Sequence, residues 1–110
     1  MSEKDPEVIG RYLAAADTGD FEALAACFTP AGFVIDEDTK YEGHEEIIRW
    51  RRELAGKYVY TSKLTGTEPV DDTEYRAFIH IEGNFLGGVA DLTYRFVLHD
   101  GAIAALNITP

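Results

Sequence analysis

Tyr12–Asp36, YLAAADTGDFEALAACFTPAGFVID, carries two helical stripes and then a change to strand periodicity. Ahead of Thr18-Gly19-Asp20, the apolar positions Val8, Ile9, Tyr12, Leu13 and Ala16 fall on one stripe of a helix. Beyond it, Phe21, Leu24, Ala25 and Phe28 form the stripe of a second helix. Gly19 suits the left-handed residue that ends the first helix, and Asp20 suits the cap of the second. After Thr29-Pro30-Ala31-Gly32 the period changes, and Phe33-Val34-Ile35-Asp36 reads as a strand that ends on a carboxylate. An acid placed after three apolar strand residues, with an inward tyrosine upstream, demands a reason.

Outward from this stretch the chain stays legible. Asp5 is expected to cap the first helix, with Pro6 in its first turn, where a missing N–H costs nothing. On the other side, a hairpin around Glu37, Asp38 and Thr39 returns to a short strand near Lys40 and Tyr41. A third helix follows, with Gly43 near its start, Glu45 and Glu46 in its first turn and Gly56 past its end. Its inward face carries Ile47, Trp50, Arg51 and Leu54. Four longer strands are then predicted, over Tyr58 to Thr67, Tyr75 to Glu82, Ala90 to Leu98 and Ile103 to Ile108. Their turn signals are Asp71-Asp72, Gly87-Gly88 and Asp100-Gly101. Helices first and strands afterwards predict one α+β domain over residues 1–110, its helices covering one face of a curved sheet.

Composition bounds the function. With 110 residues and 45% hydrophobic content, the chain has enough apolar material for one core. Twenty acidic residues against ten Lys and Arg leave a formal charge of -10, which repels phosphate backbones and anionic lipid. Nucleic acid and membrane partners are not expected, and MSEKDPEV carries no signal core. The lone Cys27 reads as a buried thiol in a reducing cytoplasm rather than a nucleophile. His44, His80 and His99 lack paired ligand spacing, so no metal is expected. No glycine-rich loop opens a helix, and no cofactor is implied.

From Tyr12 to Asp36 the sequence resembles the nuclear transport factor two-like superfamily without a gap, most closely its ketosteroid isomerase and SnoaL-like branches. That resemblance implies a cone-shaped α+β fold, three N-terminal helices packed on a strongly curved antiparallel sheet around a pocket. It implies that Asp36 is the catalytic base, Tyr12 a hydrogen-bond donor to the substrate oxygen, and Trp50 the pocket aromatic of the third helix. A second oxyanion donor would fall near Leu92, leaving Asp91 one residue out of register and so on the opposite strand face. The C-terminal half, GNFLGGVADLTYRFVLHDGAIAALNI, is similar to small SnoaL-like proteins, whose cyclases move a proton without metal or cofactor.

Each candidate also has a plainer reading. Asp36, buried, would have a raised pKa and act as a base; in the solvated turn with Glu37 and Asp38 it would be inert. Tyr12 is either a donor into the pocket or a core tyrosine. In the fourth strand, Arg76, Phe78, His80 and Glu82 share one face, and Tyr75, Ala77, Ile79 and Ile81 share the other. Alignment on the family turns the Phe78 face inward and makes His80 a second acid or base; hydrophobicity alone buries the Ile79 face. On the first choice, the ligand pocket comprises Trp50, Leu54, Phe78, Glu82, Leu92, Tyr94, Phe96, Leu106 and Ile108. The outer Ile79 face would then be a homodimer contact. Arg49, Arg51 and Arg52 read as a solvated helix face, although Arg51 could reach inward.

The expected function is cofactor-independent proton transfer on a small apolar carbonyl compound, as an isomerase, cyclase or dehydratase. Two alternatives stand beside it: non-catalytic binding of a small apolar ligand, and a dimeric interaction domain whose cavity is filled by side chains such as Trp50 and Tyr94.

Overall fold

The structure is a computed structural model and describes residues 6–110. Three helices, α1 (Glu7–Thr18), α2 (Phe21–Ala26) and α3 (His44–Lys57), pack on six strands. The strands are β1 (Phe28–Asp36), β2 (Thr39–Glu42), β3 (Tyr60–Pro69), β4 (Glu74–Gly83), β5 (Val89–His99) and β6 (Ala102–Thr109). Their spatial order is β2-β1-β6-β5-β4-β3, antiparallel throughout except where β1 runs parallel to β6. The result is the expected cone: an open, curved sheet with helices in its concavity.

Local chemistry accounts for most boundaries. Gly19, at φ 74°, ends α1 in the left-handed conformation, and the Asp20 carboxylate accepts from the Ala23 amide to cap α2. Pro6 takes the cap position of α1 rather than its first turn, and Asp5 lies outside the described residues. Phe28, expected on α2, instead opens β1. There β1 bulges between Phe28 and Phe33 against β6. Gly32 sits in that bulge because a Cβ would stand 2.9 Å from the Ile103 carbonyl oxygen. Helix α3 runs through Gly56 to Lys57 instead of stopping before it. Two further register shifts, in β3 between Leu64 and Gly66 and between β5 and β6 near Val97, help bend the sheet.

The core lies between the helices and the concave face. Tyr12, Leu24, Val34, Ile47, Ile79, Phe96, Ile103 and Leu106 are its largest fully buried side chains. On β4, Ala77 and Ile79 are 0% and 1% exposed while Phe78 is 37% exposed. Hydrophobicity therefore overrides the family alignment: the Ile79 face is concave and the Phe78 face is convex. The convex face presents Lys63, Arg76, His80, Glu82 and Arg95 together with the exposed Phe78 and Val89. No helix among the described residues is long and apolar enough to cross a membrane.

Candidate ligand pocket

One row of paired residues positions the site. Asp36 on β1 stands beside Ile108 on β6, which stands beside Tyr94 on β5. All three side chains turn into the concavity and line a cavity of about 470 Å³. At the ordinary strand spacing, Asp36 and Tyr94 are about 10 Å apart, the width of a small molecule. From α3 come Trp50, Arg51 and Leu54; Leu92 and Ile81 extend the apolar wall. Tyr58 and Phe85 meet edge to face at 6.3 Å and also line it.

Asp36 is half-buried, and its Oδ2 accepts a 3.1 Å hydrogen bond from the Trp50 indole Nε1. Trp50 is itself held by stacking on Tyr41, with ring centroids 5.9 Å apart. Desolvation pushes the Asp36 carboxyl above its usual value, the Trp50 bond and the more distant Arg51 charge oppose this, and neighbouring Glu37 adds to it. The turn that follows is tight: Glu37 and Asp38 both take positive φ, 51° and 65°, as a two-residue hairpin loop requires. Asp36 thus belongs to the pocket wall, and only Glu37 and Asp38 form the turn.

The other expected site residues divide into three groups. Trp50, Leu54, Leu92, Tyr94 and Ile108 line the cavity. Phe96 and Leu106 lie beneath it as fully buried core. Tyr12 does not line it: 1% exposed, it packs edge-on against Phe28, Tyr94 and Phe96, and burial drives its hydroxyl well above the usual pKa. Phe78, His80 and Glu82 are on the convex face. His80 bridges Asp91 at 2.7 Å and Glu82 at 2.9 Å, and these two acids raise its pKa. Asp91 is thereby fixed outside and does not replace the missing donor at Leu92.

Two pocket residues carry polar groups that the strand pattern alone did not single out. Tyr60, at the start of β3, lines the cavity, and its hydroxyl accepts a 2.8 Å bond from Arg51 Nη1. Arg51 is only 7% exposed and forms no ion pair among the described residues; its Nε has no hydrogen-bond partner. Its position on the inward stripe of α3 was the available signal. Tyr94 is buried, and desolvation pushes its phenol above the usual pKa. Cys27 is buried and its thiol pushed up by desolvation, although Arg11, brought close by α1, opposes the shift. No group of three or more potential metal ligands occurs among the described residues.

These features match a known family. The SnoaL-like domain family matches residues 7–99, and the chain belongs to it. Among solved structures it is similar to a polyketide cyclase candidate from Sinorhizobium meliloti, at 29% identity, with 99% of each chain covered and a TM-score of 0.91. A Catenulispora acidiphila protein with a ketosteroid isomerase-like fold, in complex with trimethylamine, is 15% identical over 96% of this chain and 85% of its own, with a TM-score of 0.86. The Δ5-3-ketosteroid isomerase of a Mycobacterium species shares the fold at 17% identity, covering 94% and 89%, with a TM-score of 0.77. A comparison with curated proteins returned no match.

Proposed function

We propose that this protein is a cofactor-independent acid–base catalyst that moves a proton on a small carbonyl compound, with Asp36 as the base. The observation that carries this reading is a carboxylate of raised pKa, oriented by an indole, on the wall of a ligand-sized and largely apolar cavity. Across the cavity Tyr94 and Tyr60 replace Tyr12 as hydroxyl donors for the oxygen on which negative charge develops. The sequence of events is proton abstraction next to a carbonyl by Asp36, stabilisation of the enolate by the hydroxyls, and return of the proton elsewhere. Isomerisation, ring closure and dehydration all begin this way. Likeness to the Sinorhizobium meliloti cyclase candidate supports ring closure among them.

The test is exchange of α-protons of small cyclic enones into deuterated water, followed by NMR. Asp36→Asn keeps the acceptor for Trp50 but removes the base, and the rate should fall by about 10²–10⁴-fold. An unchanged rate would remove Asp36 from the chemistry. A second reading, binding without catalysis, is favoured by Leu92 standing where a carboxylic acid would complete the isomerase pair. Probe binding without exchange is its signature. A cavity of about 470 Å³ lined by Trp50 and Tyr94 argues against a pure interaction domain with a filled core.

A further inference from the structure

We infer that the pocket takes ligands carrying a carboxylate, and that Arg51 with Tyr60 is the seat of that group. This deepens the proposed function by naming a feature of its substrate, and it rests on the cavity being the ligand site.

Arg51 is a buried cation. A guanidinium remains charged at any physiological pH, so burial cannot be relieved by losing a proton. Arg51 is nine-tenths buried, yet no carboxylate lies within ion-pair distance among the described residues. What surrounds it is aromatic: its guanidinium carbon is 5.3 Å from the Phe21 ring centroid and 5.5 Å from that of Trp50. Of its donors, Nη1 is used on the Tyr60 hydroxyl, and the enclosed Nε has no acceptor among the described residues. A buried donor without an acceptor is uncommon enough to require a cause. Because Tyr60 accepts from Arg51, its own hydroxyl hydrogen is free to be donated into the cavity.

Charge placement gives the seat a direction. Asp36, Glu37 and Asp38, the acids lining the cavity, all sit at the end of β1 and its turn. Tyr60 lies on β3, the opposite edge strand of the sheet, and holds Arg51 at that side. One side of the cavity is therefore acidic and the other cationic, and Leu54, Ile81, Leu92 and Ile108 supply apolar wall. A carboxylate on Arg51 and Tyr60 would point the apolar body of the ligand toward Asp36, which is the orientation that proton abstraction needs. Planar paired oxygens match a guanidinium better than a lone carbonyl does.

Matched acid and amide probes test this on the intact protein by titration calorimetry: phenylacetate, cinnamate and 2-naphthoate, each against its primary amide. The acids should bind about 10–100-fold more tightly than their amides, the range set by one charge-assisted hydrogen bond. Arg51→Met, which keeps an apolar stem in the core, should erase that preference, and Arg51→Lys should retain part of it. Asp36→Asn, which removes a negative charge from the same cavity, should keep the preference or increase it, which separates this test from that of the proton-transfer reading. If no acid outbinds its amide in the wild type, or if Arg51→Met keeps the preference, the carboxylate seat is wrong while Asp36 is untouched as a base.

Discussion

Asp36 holds a cost and a capability in one side chain. Because its folded-state pKa lies above the unfolded value of 3.8, the folded protein binds the extra proton more readily than the unfolded chain does. The stability this supplies is complete below pH 3.8 and is lost as pH rises through the folded value. At neutral pH the charged carboxylate therefore weakens the fold. Asp36→Asn should melt at the same temperature as wild type or higher at neutral pH, with the gap closing in acid. Thermal melts of both proteins across that range check it, and a variant less stable at neutral pH would mean that the bond from Trp50 outweighs desolvation. His80 shows how a plausible residue can be displaced: its two acid partners are real, but they hold it on the convex face.

At the scale of elements, the pocket depends on how closely β3 and β4 approach beside its lining residue Tyr60. Gly83 pairs with Tyr60, and a Cβ there would collide with the Val59 carbonyl oxygen and with Tyr60 itself. Gly83→Ala must push Tyr60, and through it Arg51, out of place. We expect a loss of about 1–3 kcal/mol, as for other overpacked sites, together with weaker probe binding. Gly56, by contrast, lies inside α3 with open space around its missing Cβ. Gly56→Ala should stabilise by about 0.5–1 kcal/mol and leave binding alone. Denaturant titrations of the two variants discriminate: equal effects would mean that backbone entropy, not the strand approach, governs Gly83.

For the whole molecule, the inward turn of Tyr75, Ala77, Ile79 and Ile81 removes the apolar surface that first suggested a dimer. We propose association through the convex face only as a polar contact, with Lys63 of one copy facing acids of another and the Arg76–Glu68 and Arg95–Glu74 pairs exchanging partners across it. Such a contact is screened by salt. Sedimentation at micromolar concentration should show association that declines as salt is raised. A dimer indifferent to salt would place the interface elsewhere, and a monomer under all conditions would remove it.

Local periodicity and turn chemistry were enough for the order of helices and strands, the Gly19 stop, the Asp20 cap and the placement of Asp36 at a strand end. Those features depend on neighbours in the chain, so they are written in consecutive residues. Alternation also divided β4 into two faces, but which of them the helices cover depends on the bend of the sheet. That choice moved Phe78, His80 and Glu82 out of the pocket. Tyr12 was correctly read as inward, yet it is Tyr94 and Tyr60, from strands remote in sequence, that stand between it and the cavity or beside it. The helical stripe allowed Arg51 to turn inward; only the packed structure shows that Tyr60 takes one of its donors and that no acid among the described residues takes another. A pocket is made by contacts between segments far apart in the chain, and no local pattern records them.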